Sequence, residues 1–334
     1  MTLGRTPGHT LGRRRFLHLA TAAGALVAVP RGAHAQAYPV RPVRMLCGLA
    51  AGGPTDVAAR ILAEWLSQHM GQQFFVENRT GMGGNLAAQA VASAAGDGYT
   101  LMFSGPNVTI SASLYKKLPY DFLRDMVSVG AMMRIPDIMV IPPSLPVHSV
   151  REFIDYAKAN PGKLTMASSG VGASPHLAGE LFKSMAGVDI VHVPYRGSSA
   201  VYPDLVSGRV QVFFDNLSGS VLGLIHEGKL RALGVTTPAR WPSLPDLPAV
   251  AETVPGYEVI VWYGVFAPKG TPTAMIDALN KEINAALADP KLRARMADAG
   301  GEPMPMTPAE LDTFVRADIA KWRKVIDSAK ISAE

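Results

Sequence analysis

Two groups of polar residues have the types and spacing to do chemistry. Thr55 and Asp56 follow Ala50-Ala51-Gly52-Gly53-Pro54, which itself follows the apolar run Met45–Leu49. Ser168, Ser169, Gly170, Ser174 and His176 stand together in Ser168-Ser169-Gly170-Val171-Gly172-Ala173-Ser174-Pro175-His176. Hydroxyls donate and accept, and glycines let main-chain N–H groups approach a guest closely. Ser104 and Asn107, then Arg196 and Gly197, then Asp215 add polar groups after further apolar runs. Two chemistries fit: capture of an anion, or nucleophilic hydrolysis by Ser174, His176 and Asp215. A triad is defined by geometry and not by chain order. However, the chain has no Gly-x-Ser-x-Gly elbow, and Pro175 after Ser174 marks a helix start. Binding without catalysis is the reading that follows.

Individual residues carry competing roles. Thr55 or Asp56 can cap a helix through a side-chain oxygen, and Ser174 can do the same. Asp56 facing an anion would repel it, so capping is its expected role. Asp215 poses the same conflict; it could hold a loop, a water or an amino group. His176 could pack or donate to a ligand oxygen. Arg196 could pair twice with a carboxylate or tie its turn to an acid, the latter being favoured.

These residues need elements to position them. Val43–Leu49 reads as a strand and Thr55–Gln68 as a helix with Val57, Ala58, Ile61, Leu62, Trp65 and Leu66 on one face. A strand, a glycine loop and a helix start aim free N–H groups and a positive dipole end at one point, which suits a carboxylate or phosphate. The alternation continues with strand Phe74–Val76, helix Leu86–Ala95 and strand Tyr99–Phe103. It predicts a parallel sheet covered by helices. The glycines at 81–84 lack dinucleotide spacing and read as close packing.

Val127–Ile141 reads as a strand leaving the first lobe. Helix Ser149–Asn160, strand Leu164–Ala167, helix Leu177–Ala186, strand Ile190–Val193, helix Ala200–Ser207 and strands Val210–Phe214 and Leu230–Val235 follow. Trp241–Pro255 is proline-rich and reads as a wrapped surface loop, and Tyr257–Pro268 as the return to the first lobe. Two helices, Ala274–Ala288 and Pro308–Ser328, close the chain. The expectation is an α/β fold of two lobes joined by two crossings, near 130–142 and 260–268, permitting closure around a ligand. The first lobe comprises 36–140 and 261–334, with 141–260 inserted as the second.

The amino end reads as an export leader over 1–35. Arg13-Arg14-Arg15-Phe16-Leu17, the apolar run Leu17–Val29 and Ala33-His34-Ala35 supply charged, apolar and cleavage regions. The arginine pair resembles a twin-arginine signal. The whole chain has 32 basic and 27 acidic residues, and this leader holds five arginines and no acid. The remainder is therefore balanced at 27 against 27, which removes the charge argument for nucleic acid. Cys47 is the only cysteine, so no internal disulfide forms. No Cys/His cluster suggests a metal, and no cofactor is expected.

Six stretches together resemble the periplasmic solute-binding proteins of tripartite tricarboxylate transporters, the Bug family. They are Ala50–Asp56 with Ala59-Arg60; Glu77-Asn78-Arg79 with Gly81-Met82-Gly83-Gly84; Asp97-Gly98-Tyr99-Thr100-Leu101; Ser168-Ser169-Gly170 with His176-Leu177; Val193-Pro194-Tyr195-Arg196-Gly197; and Tyr263-Gly264-Val265-Phe266-Ala267-Pro268-Lys269-Gly270-Thr271-Pro272. The resemblance implies a two-lobed type II periplasmic binding protein holding a small organic acid between its lobes. It implies membrane transporter subunits as partners, or a sensor kinase on the alternative reading as a soluble sensor, and a monomeric state. By match it implicates Leu49, Ala51, Gly52, Gly53, Thr55 and Asp56 in one lobe. In the other it implicates Ser168, Ser169, Gly170, Ser174 and His176, with Arg196, Gly197 and Asp215 near, and Ser104 and Asn107 on the same side. Thr80 stands where the family usually has proline, and Gly48-Leu49 where it often has Pro-Phe. The choice between aromatic and aliphatic acids stays open.

Overall fold

The computed structural model describes residues 1, 2, 4 and 38–332. The leader's arginines, apolar run and cleavage site lie outside the described residues. Strands β1 (Val43–Cys47), β2 (Phe74–Asn78) and β3 (Thr100–Ser104) alternate with helices α1 (Pro54–His69) and α2 (Asn85–Ala92). Helix α3 (Pro106–Leu114) and the single turn α4 (Phe122–Asp125) lead into the long strand β4 (Met126–Ile141). Then come α5 (Val150–Ala159), β5 (Thr165–Ser168), α6 (Ser174–Ala186), β6 (Val191–Pro194), α7 (Tyr202–Val206), β7 (Val212–Asn216), α8 (Gly219–His226) and β8 (Arg231–Val235). The chain closes with β9 (Ile260–Pro268), α9 (Thr273–Ala288), α10 (Pro290–Asp298), the short β10 (Glu302–Pro303) and α11 (Pro308–Ala329).

The parallel pairing expected of the first three strands is present, within a sheet that is mixed as a whole. Its order is β2-β1-β3-β9-β4-β7-β5-β6, with β8 and β10 also on β4. β1 is parallel to β2 and β3, and β5 is parallel to β6 and β7. The strands between these sets, β9 and β4, run antiparallel to their neighbours. Both parallel sets arise from strand–helix–strand units, whereas β4 and β9 are crossing strands shared by the two halves.

Four helices have no counterpart among the expected elements, the single turn α4 among them. α3 buries Pro106, Val108, Thr109, Ile110, Ser111 and Leu114, so it has no polar face to give a periodic signal. α8 and α10 also lie where no helix was expected, which makes the closing helices three. Val57, expected in the α1 stripe, is 40% exposed; the core face is Ala58, Ala59, Ile61, Leu62, Ala63 and Leu66. The 241–255 loop is not merely superficial, because Trp241 and Val250 are buried in the hydrophobic clusters.

The crossing is organised by one proline and one threonine. From Met126 to Pro136, β4 pairs with β9; from Asp137 onward it pairs with β7 and β8. Pro136 has no N–H, so it suits the point where β4 changes partners. Asp137 N–H donates to Thr236 Oγ1 at 2.8 Å. Thr236 N–H donates to Asp137 O, and Val259 N–H donates to Thr236 O, each at 2.9 Å. The Thr236 hydroxyl lies 2.7 Å from Val259 O and 3.0 Å from Asp137 O. One buried residue thus fastens both crossing strands.

The long helix α11 braces the same region. Leu311, Val315 and Ile319 pack in the cluster that contains Trp262 and Phe266. Trp322, Val325 and Ile326 pack with Phe153, Phe182 and Tyr257 of the other half. Asp318 lies between these faces and accepts from Thr109 Oγ1 at 2.7 Å and Trp262 Nε1 at 3.2 Å. The Thr307–Glu310 capping box starts the helix.

The clasp gives a test. Thr236→Val keeps the shape and removes the acceptor for Asp137 N–H. It should lower unfolding free energy by about 1–3 kcal/mol, the usual cost of an unsatisfied buried donor. Urea denaturation measures this, and an unchanged midpoint would show that the clasp adds nothing.

Candidate functional site

A cleft of about 410 Å³ lies where the two halves face each other. It is lined from one side by Leu49, Pro54, Thr55, Pro106 and Asn107, and from the other by the 169–175 loop, Gly197 and Asn216. Val261 and Tyr263 of the crossing strand β9 also line it. β1, β3 and β5 each run into a short loop and then a helix, so three strand ends deliver three helix starts to one place.

Those helix starts share a construction. α1 begins after Gly53, α3 after Gly105 and α6 after Ala173, and none has a side-chain cap. Each carries proline in its first turn, Pro54, Pro106 or Pro175, and all three prolines line the cleft. First-turn N–H groups lack intrahelical acceptors, and the helix dipole is positive there. Thr55, Asp56 and Ser174 are therefore not caps, contrary to expectation. Thr55 is instead buried beside the Tyr263 phenol, whose rise by burial it partly offsets. Ser174 Oγ lies 3.3 Å from Asp137 Oδ2.

The first loop is clamped from behind. Asp56 accepts from Gly52 N–H and Arg60 Nε, and its other oxygen accepts from Asn78 Nδ2, all at 2.9 Å. Burial alone would raise this carboxyl, but the Arg60, Gly52 and Asn78 bonds outweigh it and hold it below the usual range. Gly48 passes so close to Gly84 that a Cβ on Gly48 would lie 2.5 Å from Gly84 Cα. Gly84 thus serves close packing, as read for this run, whereas a Cβ on Gly83 would meet nothing nearer than 3.8 Å. Asn107 joins two loops: its amide donates to Gly83 O at 3.0 Å and accepts from Ser104 Oγ at 3.1 Å and Gly105 N–H at 3.3 Å.

The second loop rests on two stacked imidazoles. His176 and His192 have ring centroids 3.8 Å apart and planes 16° from parallel. His176 Nδ1 accepts from Gly172 N–H at 3.0 Å, and His192 Nε2 lies 2.6 Å from Ser168 Oγ. Burial, the neighbouring His192 and Lys183 push His176 down to about 3. Burial and Lys183 push His192 down to about 4. Both rings are therefore neutral near pH 7.

Two acids lie beneath the floor. Asp215 accepts from Tyr202 O–H at 2.6 Å and Ser198 O–H at 2.8 Å, so it holds the turn after β6. Burial raises its carboxyl despite those bonds. Asp137 is fully buried, accepts from Asn216 Nδ2 at 2.7 Å, and is raised well above the usual range by burial and by Asp215.

Of the sequence candidates, Leu49, Thr55, Asn107, Ser169, Gly170, Ser174 and Gly197 line the cleft. Asp56, Ser104, Ser168, His176 and Asp215 are buried and do not line it. Ala51, Gly52 and Gly53 lie on the loop outside the lining, with Ala51 and Gly52 exposed. Arg196 is exposed and outside the lining, and it forms no ion pair with an acid among the described residues, so the expected tie of its turn is absent. No lysine or arginine lines the cleft. Ser174, His176 and Asp215 do not bond one another; their partners are Asp137, Gly172, and Ser198 with Tyr202, respectively. The sequence reading missed Ser111, Tyr115, Asn216 and Tyr263 in the lining and Asp137 below it. An acid inside the apolar run Ile135–Ile141 was the available signal for Asp137.

Residues 58–331 match the family described as tripartite tricarboxylate transporter family receptor. BugT of Bordetella pertussis is 36% identical over 295 residues, covering 87% of this chain and 90% of BugT. An R. palustris protein solved with adipate is 40% identical, with a TM-score of 0.78, covering 88% of this chain and 99% of that one. MatC from Rhodopseudomonas palustris, solved with bound malate, is 32% identical with a TM-score of 0.74, covering 86% and 100%.

The histidine pair carries a pH signature. His176 is lowered from 6.5 to about 3 on folding, so protonation favours the unfolded chain. Its contribution is complete above the unfolded value and is lost as pH falls toward the folded one. The melting temperature of wild type should therefore drop more steeply between pH 6.5 and 4 than that of His176→Gln. Parallel curves would show that the ring is not held neutral.

Proposed function

The chain belongs to the tripartite tricarboxylate transporter receptor family, and from that premise we propose that it captures a small carboxylate-bearing acid in the cleft and delivers it to the membrane subunits of such a transporter. The family is one of two-lobed periplasmic solute-binding proteins. The observation that carries the reading is the meeting of three uncapped helix starts in a cleft lined by no charged side chain. A carboxylate has several acceptor sites, and each hydrogen bond to it is strengthened by its charge. Main-chain N–H groups with the hydroxyls of Thr55, Ser169 and Ser174 and the amides of Asn107 and Asn216 therefore satisfy one anion without a buried cation. The solutes of the adipate-bound and malate-bound relatives are acids of this kind.

On the same reading the protein acts by binding alone, as a monomer, in the periplasm. The twin-arginine-like leader directs its export, with cleavage near residue 35.

Thermal-shift and calorimetric screening of organic acids against refolded, ligand-free protein tests the reading. An acid at a hundred times its dissociation constant should stabilise the fold by about 2.7 kcal/mol. Absence of both shift and heat across mono-, di- and tricarboxylates overturns it. Asn107→Ala releases Gly83 and Gly105 and should weaken the bound acid about tenfold, or about 1.4 kcal/mol; an unchanged constant would remove Asn107 from the site.

A further inference from the structure

Asp137 lies under the cleft floor with no exposed surface of its own. Its Oδ1 accepts from Asn216 Nδ2 at 2.7 Å, and its Oδ2 stands 3.3 Å from Ser174 Oγ. Both of these partners line the cleft. Among the described residues, no lysine, arginine or histidine bonds the Asp137 carboxyl. The titratable groups near it are Asp215 on β7, Tyr257 ahead of β9 and Tyr263 on β9. Tyr257 gives its proton to Ala178 O at 3.0 Å, so it is no donor to the acid. α6 brings only the Ser174 hydroxyl to this carboxyl, and Thr236, after β8, takes the Asp137 main chain.

A buried charge without a cation is costly, and a second carboxyl nearby makes it costlier. Asp137 pairs across the ladder with Asn216, so Asp215 is the next residue on the facing strand. Of the two acids, Asp215 is better furnished to carry charge. It accepts from Tyr202 O–H, Ser198 O–H and Asn216 N–H, whereas Asp137 accepts from one side-chain N–H. The proton therefore stays on Asp137. Oδ1 already faces an N–H, so the proton sits on Oδ2, toward Ser174 Oγ. A serine hydroxyl has one proton to give. An ionised Asp137 would claim it and leave Ser174 turning lone pairs to the cleft. A protonated Asp137 donates to Oγ instead, and the serine proton is free for a guest.

We propose that Asp137 determines the sign of the solute: held as a neutral acid, it donates to Ser174 Oγ and thereby makes Ser174 a donor toward the cleft, which selects an anion over an ammonium group. The inference rests on the anion site described under the proposed function and adds the residue that sets its polarity. Asp137 does not line the cleft, so it is a positioning residue acting through Ser174. Ionised at the same place, it would both repel an anion and offer an ammonium group a countercharge.

Calorimetry on ligand-free protein with adipate, malate and acetate tests this, read on whichever binds most tightly. Asp137→Ala removes the donor and should weaken that acid about tenfold. Asp137→Asn should recover most of the loss, because its amide N–H can donate to Ser174 while its oxygen accepts from Asn216. From about pH 6.5 to about 9.5 the wild-type constant should weaken as the carboxyl ionises, by up to about tenfold per pH unit, while that of Asp137→Asn stays level. Asp137→Asn binding no better than Asp137→Ala, or running parallel to wild type with pH, overturns the proposal and leaves the anion site standing. Failure of all three acids to bind wild type removes the anion site and the proposal with it. If neither variant folds, carboxyl NMR of wild type carrying carbon-13 aspartate decides. An aspartate resonance at the protonated position near neutral pH, moving when the acid is added, supports the proposal. None at that position, or one that the acid does not move, overturns it.

Discussion

Main-chain donors left over at the starts of α1, α3 and α6 set the terms for everything around them. A helix start buried without acceptors is costly, and these three have no side-chain caps. The cost is avoided because they open onto a cleft. That arrangement requires β1, β3 and β5 to end at the same place although they belong to different halves. Parallel pairing within each half and antiparallel crossing strands between them meet the requirement. The mixed sheet is thus a consequence of where the helix starts have to meet.

The acids around the cleft are arranged so that none places free negative charge in it. Asp56 is ionised, but its charge is met by Arg60 and by two N–H donors behind the loop. Asp137 and Asp215 are buried and raised, each tied to hydroxyl or amide groups. Asp318 lies on the far side of α3, where it bonds Thr109 and Trp262. Carboxyl groups here fasten loops and strands, and of the polar groups they hold, Ser174 and Asn216, both bonded to Asp137, line the cleft. The histidine stack acts similarly for the second loop, with neutral rings accepting from Gly172 N–H or meeting Ser168.

Much of this was legible in the sequence because it depends on local pattern. The strand–loop–helix units and the covered helix faces follow from periodicity and turn residues. Strand direction does not, since β4 and β9 look like any buried apolar run. Caps were misread at Thr55, Asp56 and Ser174 because side-chain type alone does not say which way an oxygen turns. Asp56 turns back to Arg60 and Asn78, and Ser174 turns toward Asp137. α3 escaped notice because a helix buried on most sides has no amphipathic signature. With it went Ser111 and Tyr115 in the cleft lining.

α11 is set into both cores at once, with Leu311 and Val315 in one and Trp322 and Ile326 in the other. A rod seated in two bodies couples them, and relative displacement of the halves has to slide packed side chains along it. Much of the geometry that grips a solute is consequently in place before the solute arrives, and less conformational entropy is surrendered on its capture.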